Sequence, residues 1–180
     1  MKTKTINLYT IEELKKEDEK SYDKAIQYFR DSNDYIFLSD RMNEELHELL
    51  QYHGIVDTND TSKPGTSPTQ VLYSLSYCQG DGAMFDGGYI YTYNGKKYVI
   101  TVKYDGSYSN SKSFYTHDED GNEVDNWEEV ETAFNVVYQD ICEELERYGY
   151  DFMEYEDSEE SIKENCKANE YYFTIDGVLA

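Results

Sequence analysis

The chain has 180 residues, a mean hydropathy of −0.84 and a formal net charge of −22, from 38 acidic and 16 basic residues. This charge excludes ordinary binding to nucleic acid or to an anionic membrane, and no apolar run reaches the ~18 residues that would cross a bilayer. Aromatic residues make up 16% of the chain, with 20 tyrosines, which excludes a disordered polypeptide.

The negative charge is concentrated towards the end of the chain. Residues 1–116 contain 17 acidic and 13 basic residues, whereas 117–180 contain 21 acidic and 3 basic residues, a net charge of −18. Such asymmetry favours a surface that binds a partner. An acidic surface that only keeps the protein in solution is the open alternative.

The cysteine pattern and the N-terminus favour a cytoplasmic protein. Cys78, Cys142 and Cys166 are an odd number of widely spaced cysteines without a CxxC pair, so we expect reduced, buried thiols. The first residues lack the apolar segment of a signal peptide.

Two helices are predicted in the N-terminal part. Thr10 and Glu13 form a capping-box pattern, and apolar residues at helical spacing predict a helix that continues to about Arg30. A second helix is predicted to begin near Ser39 or Asp40 and to stop before Gly54, a residue typical of the position after a helix.

An antiparallel sheet is predicted next. Apolar residues alternate from Val71 to Tyr77, and Asn94-Gly95 predicts a tight hairpin that places Tyr91 opposite Tyr98. We expect one face of this hairpin to be covered and the other to be partly wet. The covered face would carry Tyr89, Tyr91, Tyr93, Tyr98, Ile100 and Val102. A further hairpin is predicted near Gly121.

The strongest helical pattern follows the sheet. Apolar residues recur at three- and four-residue spacing from Trp127 to Tyr148, with Asp125 or Asn126 as the cap and Gly149 as the end. An acidic segment then leads into a short helix over about 158–168. The chain is predicted to close with an edge strand, Glu170–Ile175, and a turn at Asp176-Gly177.

These elements indicate an α+β fold, with an antiparallel sheet of about four to six strands packed against helices. We expect one domain over 1–180. Its predicted parts are a helical N-terminal part over 1–56, a loop over 57–69, the sheet over 70–124, and acidic helices with a final edge strand over 125–180.

Two sequence patterns resemble metal-binding motifs, but the spacing of their residues does not match those motifs. His47-Glu48 and His53 resemble HExxH, yet the histidines are six residues apart and do not share a helix face. The run that begins at Asp118 has its glycine at the fourth position, where a calcium-binding EF-hand loop needs it at the sixth. We therefore predict no metal, no cofactor and no catalytic residues, and enzyme activity is a minority hypothesis.

Gln79, Gly80, Asp81 and Gly82 interrupt the predicted strands with two glycines around one carboxylate. One interpretation is a bulge or tight turn in which Asp81 bonds its own backbone. The other is a close backbone approach that presents Gln79 and Asp81 to a ligand. Residue chemistry favours the first.

Three stretches together resemble a family of short proteins from phages and prophages. They are Ile6–Leu14, the central LSYCQGDGAMF over Leu75–Phe85, and Asn169–Gly177. The resemblance implies an α+β fold and a viral or mobile-element origin. Members are often labelled antitoxin-like, and the family has no settled activity.

The leading functional hypothesis is a phage-encoded inhibitor that binds the basic, nucleic-acid-binding groove of a host defence protein. A CRISPR effector, a restriction enzyme or another nuclease would be the partner, and carboxylates would take the place of phosphates. Alternatives are an antitoxin that neutralises a basic toxin, and a ligand binder or enzyme that uses the Gln79–Gly82 turn. The protein would be a monomer or homodimer. The predicted partner-binding residues are Glu128, Glu129, Glu131, Asp140, Glu143, Glu144, Glu146, Asp151, Glu154, Glu156 and Asp157.

Overall fold

The computed structural model describes residues 7–58, 69–106 and 112–180, and within them it confirms the predicted α+β class. Most of the predicted 57–69 loop, and Ile6 of the first resembling stretch, lie outside these ranges. The elements are α1 (Ile11–Glu17), α2 (Glu19–Asp31), α3 (Leu38–Tyr52), β1 (Val56–Asp57), β2 (Val71–Ser74), β3 (Gly82–Phe85), β4 (Gly87–Tyr93), β5 (Lys96–Tyr104), β6 (Lys112–His117), α4 (Trp127–Glu156) and α5 (Glu159–Ala168). The described strands form an antiparallel sheet of four, in the order β1-β4-β5-β6, and a pair, β2-β3.

The chain divides into two compact units. Unit 1 combines Met1–Ile36, described from residue 7, with Asp151–Ala180, and unit 2 is Phe37–Tyr150. Helix α4 begins in unit 2, and its last six residues, 151–156, belong to unit 1. The expectation of one domain over 1–180 stays a prediction, because two compact units can belong to one folding domain.

The helix predicted from Thr10 to Arg30 is two helices. Its capping box is confirmed, since the main-chain N–H of Glu13 donates to Thr10 Oγ1 (3.3 Å) and that of Thr10 donates to the Glu13 carboxylate (2.9 Å). The break lies at Asp18, which is extended (φ −153°) and accepts a hydrogen bond from Ser21 Oγ (2.5 Å). Such local bonding by aspartate competes with helix continuation.

Unit 1 has a core of its own, built from α1, α2, α5 and the closing segment. The predicted edge strand Glu170–Ile175 is wrong in extent, because only Phe173 pairs there, with Tyr9 and Leu179. The short helix and the turn at Gly177 (φ +75°) are confirmed, and the structure adds that Ser158 caps the helix. The buried residues are Ile11, Leu14, Tyr22, Ala25, Ile26, Ile162, Cys166 and Phe173.

One carboxylate in unit 1 accepts hydrogen bonds from three side chains. Glu159 Oε1 accepts from Lys15 Nζ (2.7 Å), from Lys163 Nζ (2.5 Å) and from the hydroxyl of Tyr22. These hydrogen bonds lower the pKa of Glu159 to about 2. The bond from Lys15 has the largest effect, followed by those from Lys163 and Tyr22. The ionised carboxylate therefore links α1, α2 and α5.

The central hairpin of unit 2 has the predicted turn and register. Asn94 and Gly95 both have positive φ (48° and 77°), as a two-residue turn of this type requires, and Tyr91 lies opposite Tyr98. The predicted inner face is buried or half-buried, and the opposite face is half-buried to exposed, with Thr92, Lys97 and Lys103 in contact with solvent. Alternation along the strands thus identified the covered face correctly.

The strand predicted from Val71 to Tyr77 ends at Ser74. Leu75 is no longer paired with β3, and Tyr77 is exposed with φ +57°. The three cysteines are free, as predicted, but burial was predicted wrongly for Cys78, which is exposed. Cys142 is half-buried, and burial raises the pKa of its thiol to about 12.

Helix α4 covers the sheet as predicted but does not end at Gly149. It continues to Glu156, and Gly149 is a close-packing position within it: a Cβ atom there would lie 2.4 Å from Leu75 Cδ1 and 3.3 Å from Met42 Sδ. No described helix is both long enough and apolar enough to cross a membrane. The buried stripe of α4 within unit 2 is Val130, Phe134, Tyr138, Ile141 and Leu145.

Tyr138 joins α4 to the backbone of β3. Its hydroxyl donates to the carbonyl oxygen of Phe85 (2.8 Å) and accepts from the N–H of Phe85 (3.2 Å). The two rings lie 4.4 Å apart, and Phe114 packs edge-on against both Tyr138 and Phe134. Burial raises the pKa of Tyr138, so the hydroxyl stays protonated.

Replacement of Tyr138 by phenylalanine is expected to lower the free energy of unfolding of unit 2 by about 1–3 kcal/mol, because a buried donor and acceptor on Phe85 lose their partner. Urea denaturation followed by circular dichroism measures the change. Tyr52→Phe is the control, since Tyr52 is 83% exposed. Equal stability of the two variants would contradict this role for Tyr138.

A second prediction concerns Glu159. Because its pKa is lowered from about 4.5 to about 2 in the folded state, its contribution to stability is present above pH 4.5 and disappears as pH falls towards 2. We expect Glu159→Gln to lower the melting temperature at neutral pH and to have a shrinking effect between pH 4.5 and 2. Glu160→Gln is the matched control, because its neighbouring carboxylate is exposed. An effect of Glu159→Gln that does not depend on pH would rule out the ionised carboxylate as the cause.

Candidate protein-binding surface

The predicted acidic residues of α4 within unit 2 form two groups. The first group is Glu128, Glu129 and Glu131, and the second is Asp140, Glu143, Glu144 and Glu146. Residues 132–139 between them are uncharged. At ~1.5 Å per residue, Glu131 and Asp140 are about 14 Å apart along the axis. The helix therefore carries two acidic groups and no continuous row.

The first group is extended by the turn that precedes α4. Asp118 organises this turn, since its carboxylate accepts from the main-chain N–H of Asn122 (2.7 Å) and of Asp120 (3.0 Å). Hydrogen bonds from the side chain and backbone of Asn122 lower the pKa of Asp118. The predicted charged hairpin turn is thus confirmed, and it also carries Glu119, Glu123 and Asp125.

The second group is joined by acidic residues of α3 that sequence reasoning missed. The pKa of Glu45 is raised by burial, and further by the carboxylates of Glu48 and Glu144. Like charges are therefore crowded where α3 meets α4. The available signal was the spacing of Asp40, Glu44 and Glu48, which places them on one face of a helix.

Few cations neutralise these groups. In the described part of unit 2 the ion pairs are Arg41–Glu44 (2.8 Å), Lys97–Glu119 (4.0 Å) and Arg147–Glu144. Glu128, Glu129, Asp140 and Glu143 are exposed and have no ion pair within the described ranges. Glu146 is half-buried and lines a small cleft of about 240 Å³ with Glu143 and Lys112.

The remaining four predicted residues lie in unit 1. Asp151 and Glu154 are exposed, and Glu156 is half-buried. Asp157 has an internal role, since its carboxylate accepts from Asn33 Nδ2 (3.0 Å) and from the hydroxyl of Tyr35 (2.6 Å). Its main-chain oxygen accepts from Arg30 Nε (2.9 Å).

Gln79, Gly80 and Asp81 lie in the loop that reverses the chain between β2 and β3, and Gly82, which pairs with Ser74, is the first residue of β3. The Asp81 carboxylate accepts from the N–H of Ser76 (2.8 Å) and of Cys78 (2.9 Å), and from the hydroxyls of Ser76 and Tyr150. Gly80 has φ +107°, a conformation that favours glycine. This geometry is that of a turn closed on its own carboxylate.

The same loop is held against α4 by Tyr150. The hydrogen bond from Tyr150, followed by those from the loop backbone, lowers the pKa of Asp81, while the bond raises the pKa of Tyr150 to about 12. The ring of Tyr77 lies 4.6 Å from that of Tyr150. Asp81 thus fixes the loop, while Gln79 is exposed at its tip.

A cleft of about 510 Å³ lies along β6 and was not predicted from the sequence. We call it the β6 cleft. It lies between the end of β6, the following turn and the first residues of α4, and it combines aromatic with acidic side chains. The residues that define it here are Tyr115, His117, Glu123, Asp125, Trp127 and Glu131.

Glu131 lies at the wall of the β6 cleft and is half-buried. Its carboxylate accepts from Thr116 Oγ1 (3.0 Å), and burial raises its pKa. No three His, Cys, Asp or Glu side chains among residues 7–58, 69–106 and 112–180 come together as a metal ion would need.

Comparison with known proteins gives no relative: no protein-family model, no curated protein and no solved structure matches the chain. The phage-family resemblance accordingly stays a prediction.

The loop geometry predicts the effect of Asp81→Asn. The two main-chain N–H groups and the Tyr150 hydroxyl all donate to Asp81 Oδ2. Asparagine replaces this charged acceptor by a neutral amide oxygen, which makes weaker hydrogen bonds. We expect faster hydrogen exchange at Ser76 and Cys78 and a fall of the Tyr150 pKa from about 12 towards 10. Amide exchange is measured by ¹⁵N NMR, and the Tyr150 pKa by NMR with ¹³Cζ-labelled tyrosine. An unchanged Tyr150 titration would show that Asp81 does not set its pKa.

Proposed function

We propose that this protein is an acidic inhibitor that binds a basic, nucleic-acid-binding surface of another protein. A defence nuclease of a bacterial host, of the CRISPR or restriction kind, is the partner class that the phage resemblance suggests, with the host cytoplasm as the compartment. Binding would exclude nucleic acid from the partner by occupying its Arg and Lys side chains.

The observation that carries the proposal is the exposed carboxylates of α4 that have no cation partner in the described part of unit 2. Glu129, Asp140 and Glu143 are the clearest examples. Unpaired like charges destabilise a compact protein slightly and offer nothing to its own packing. A cationic partner supplies the missing counter-charges and is drawn in by the field.

Crowding at Glu45 supports the same proposal. Its raised pKa means that the ionised form is disfavoured by burial and by the nearby carboxylates of Glu48 and Glu144. A guanidinium or ammonium group placed there would favour the ionised form. The site is therefore better satisfied with a cationic partner than without one.

The spacing of the charges defines the kind of competition. Duplex DNA has one charge per ~1.7 Å of axis, far denser than either group on α4. We therefore propose that the two acidic groups, about 14 Å apart along α4, bind two separate clusters of Arg and Lys on the partner. One helix does not reproduce the charge density of a nucleic-acid duplex. An antitoxin would use the same carboxylates, and the identity of the partner separates the two functions.

Charge reversal tests the proposal. Glu129, Asp140 and Glu143 are changed together to lysine, and the matched control changes Glu17, Asp23 and Glu164 of unit 1, which are also exposed. Each variant loses three negative charges and gains three positive ones, so its net charge is −16 in place of −22. Both are immobilised beside the wild type to capture proteins from nuclease-treated bacterial lysate at low and high salt.

We expect a protein that wild type and control retain at low salt, that high salt releases, and that the α4 variant fails to retain. The wild type must also displace a labelled oligonucleotide from that protein, measured by fluorescence anisotropy. Retention by the α4 variant, or an oligonucleotide that stays bound, would contradict the proposal.

A further inference from the structure

We infer that the β6 cleft is a binding site for an extended, arginine-containing segment of a protein partner. The inference deepens the proposed function and rests on it for the basic character of that partner. Three features of the cleft carry it: an open strand edge, carboxylates without a cation, and an exposed tryptophan.

The first feature is the edge of the sheet. β6 pairs with β5 on one side, and on its other side the described strands leave it open except for a bridge between His117 and Glu123. In an antiparallel ladder every second residue of an edge strand directs its N–H and C=O outward. Those groups accept an added strand, and residues 112–116, which precede the bridge, offer roughly 16 Å of edge.

The second feature is charge. Glu123, Asp125 and Glu131 line the cleft, and its lining within the described chain contains no lysine or arginine. Glu131 is the innermost of the three in terms of burial, and its single hydrogen bond comes from the neutral hydroxyl of Thr116. An occupant that brings a positive charge to Glu131 supplies what the protein itself does not.

The third feature selects arginine. Trp127 lines the cleft and is 47% exposed, although it begins the helix whose apolar stripe is buried against the sheet. A guanidinium group can stack on an indole face and donate two parallel hydrogen bonds to a carboxylate, whereas an ammonium group is a compact, strongly hydrated charge. An indole beside three carboxylates is therefore better matched to arginine than to lysine.

The chain provides its own reporter for the test, because Trp127 is its single tryptophan. The probe is a capped hexapeptide of alternating arginine and valine, titrated against the full chain. We expect a saturable change in tryptophan fluorescence, about fivefold weaker binding of the lysine–valine peptide, and no change with a glutamate–valine peptide. No saturable change, or equal affinity for all three peptides, would overturn the inference.

Backbone methylation tests strand addition without altering the protein. N-methyl groups are placed on one set of alternate peptide amides or on the other set. Only the set that faces β6 donates to the strand, so one methylated peptide is expected to lose binding and the other to keep it. Equal behaviour of the two peptides would exclude pairing with β6.

The acidic side chains are tested by Asp125→Asn combined with Glu131→Gln. We expect about tenfold weaker binding of the arginine peptide, the effect of losing one charge-assisted hydrogen bond. Glu17→Gln with Asp23→Asn removes the same charge from unit 1 and is expected to leave affinity unchanged. An equal loss of affinity in the two double variants would mean that the peptide responds only to the overall charge of the protein, and would overturn the inference.

Failure of the inference and failure of the proposed function give different results. If the peptide binds as expected but reversal of Glu129, Asp140 and Glu143 does not affect partner capture, the proposal that α4 binds the partner is wrong. The inference about the β6 cleft then still stands. If capture depends on α4 but the peptide does not bind, the cleft is wrong and the inhibitor proposal remains.

Discussion

The arrangement of unit 2 depends on two hydrogen bonds that the hydroxyl of Tyr138 makes with the main-chain N–H and C=O of Phe85. They hold α4 to β3 inside a cluster of aromatic rings, so the helix presents one face to the core and the other to solvent. Tyrosine suits this chain because its ring is buried while its hydroxyl satisfies backbone groups. Strong packing of this kind offsets the repulsion that a net charge of −22 creates in a compact state.

Local patterns identified much of the fold. The capping box at Thr10, the register set by Asn94-Gly95 and the stripe on α4 each depend on neighbours a few residues away, and all three are confirmed. The break between α1 and α2 is also local, since it involves Asp18 and Ser21, whereas the end predicted for α4 was wrong because of distant residues. Gly149 is typical of a helix end by composition, but its neighbours Leu75 and Met42 make it a packing position. Composition alone contains no information about such contacts.

The candidate site was predictable in part for the same reason. The acidic residues of α4 are evident in the sequence, but their division into two groups follows from helix geometry, and their association with Glu45 and Glu48 follows from the packing of α3. The β6 cleft joins His117 to Glu131 through a turn and a helix start. Its one visible signal was the only tryptophan of the chain among acidic residues.

The two proposed binding surfaces of unit 2 would have different parts in recognition. Exposed carboxylates such as Asp140 and Glu143 would act at a distance and set the rate and salt dependence of encounter. They carry little specificity, since any basic protein satisfies them. Specificity needs fixed geometry, which strand edges and aromatic faces provide. The β6 cleft combines both at the edge of the acidic region, where Glu131 is held in place by Thr116. A partner with scattered lysines would meet the first surface only, whereas one with an extended arginine segment would engage both.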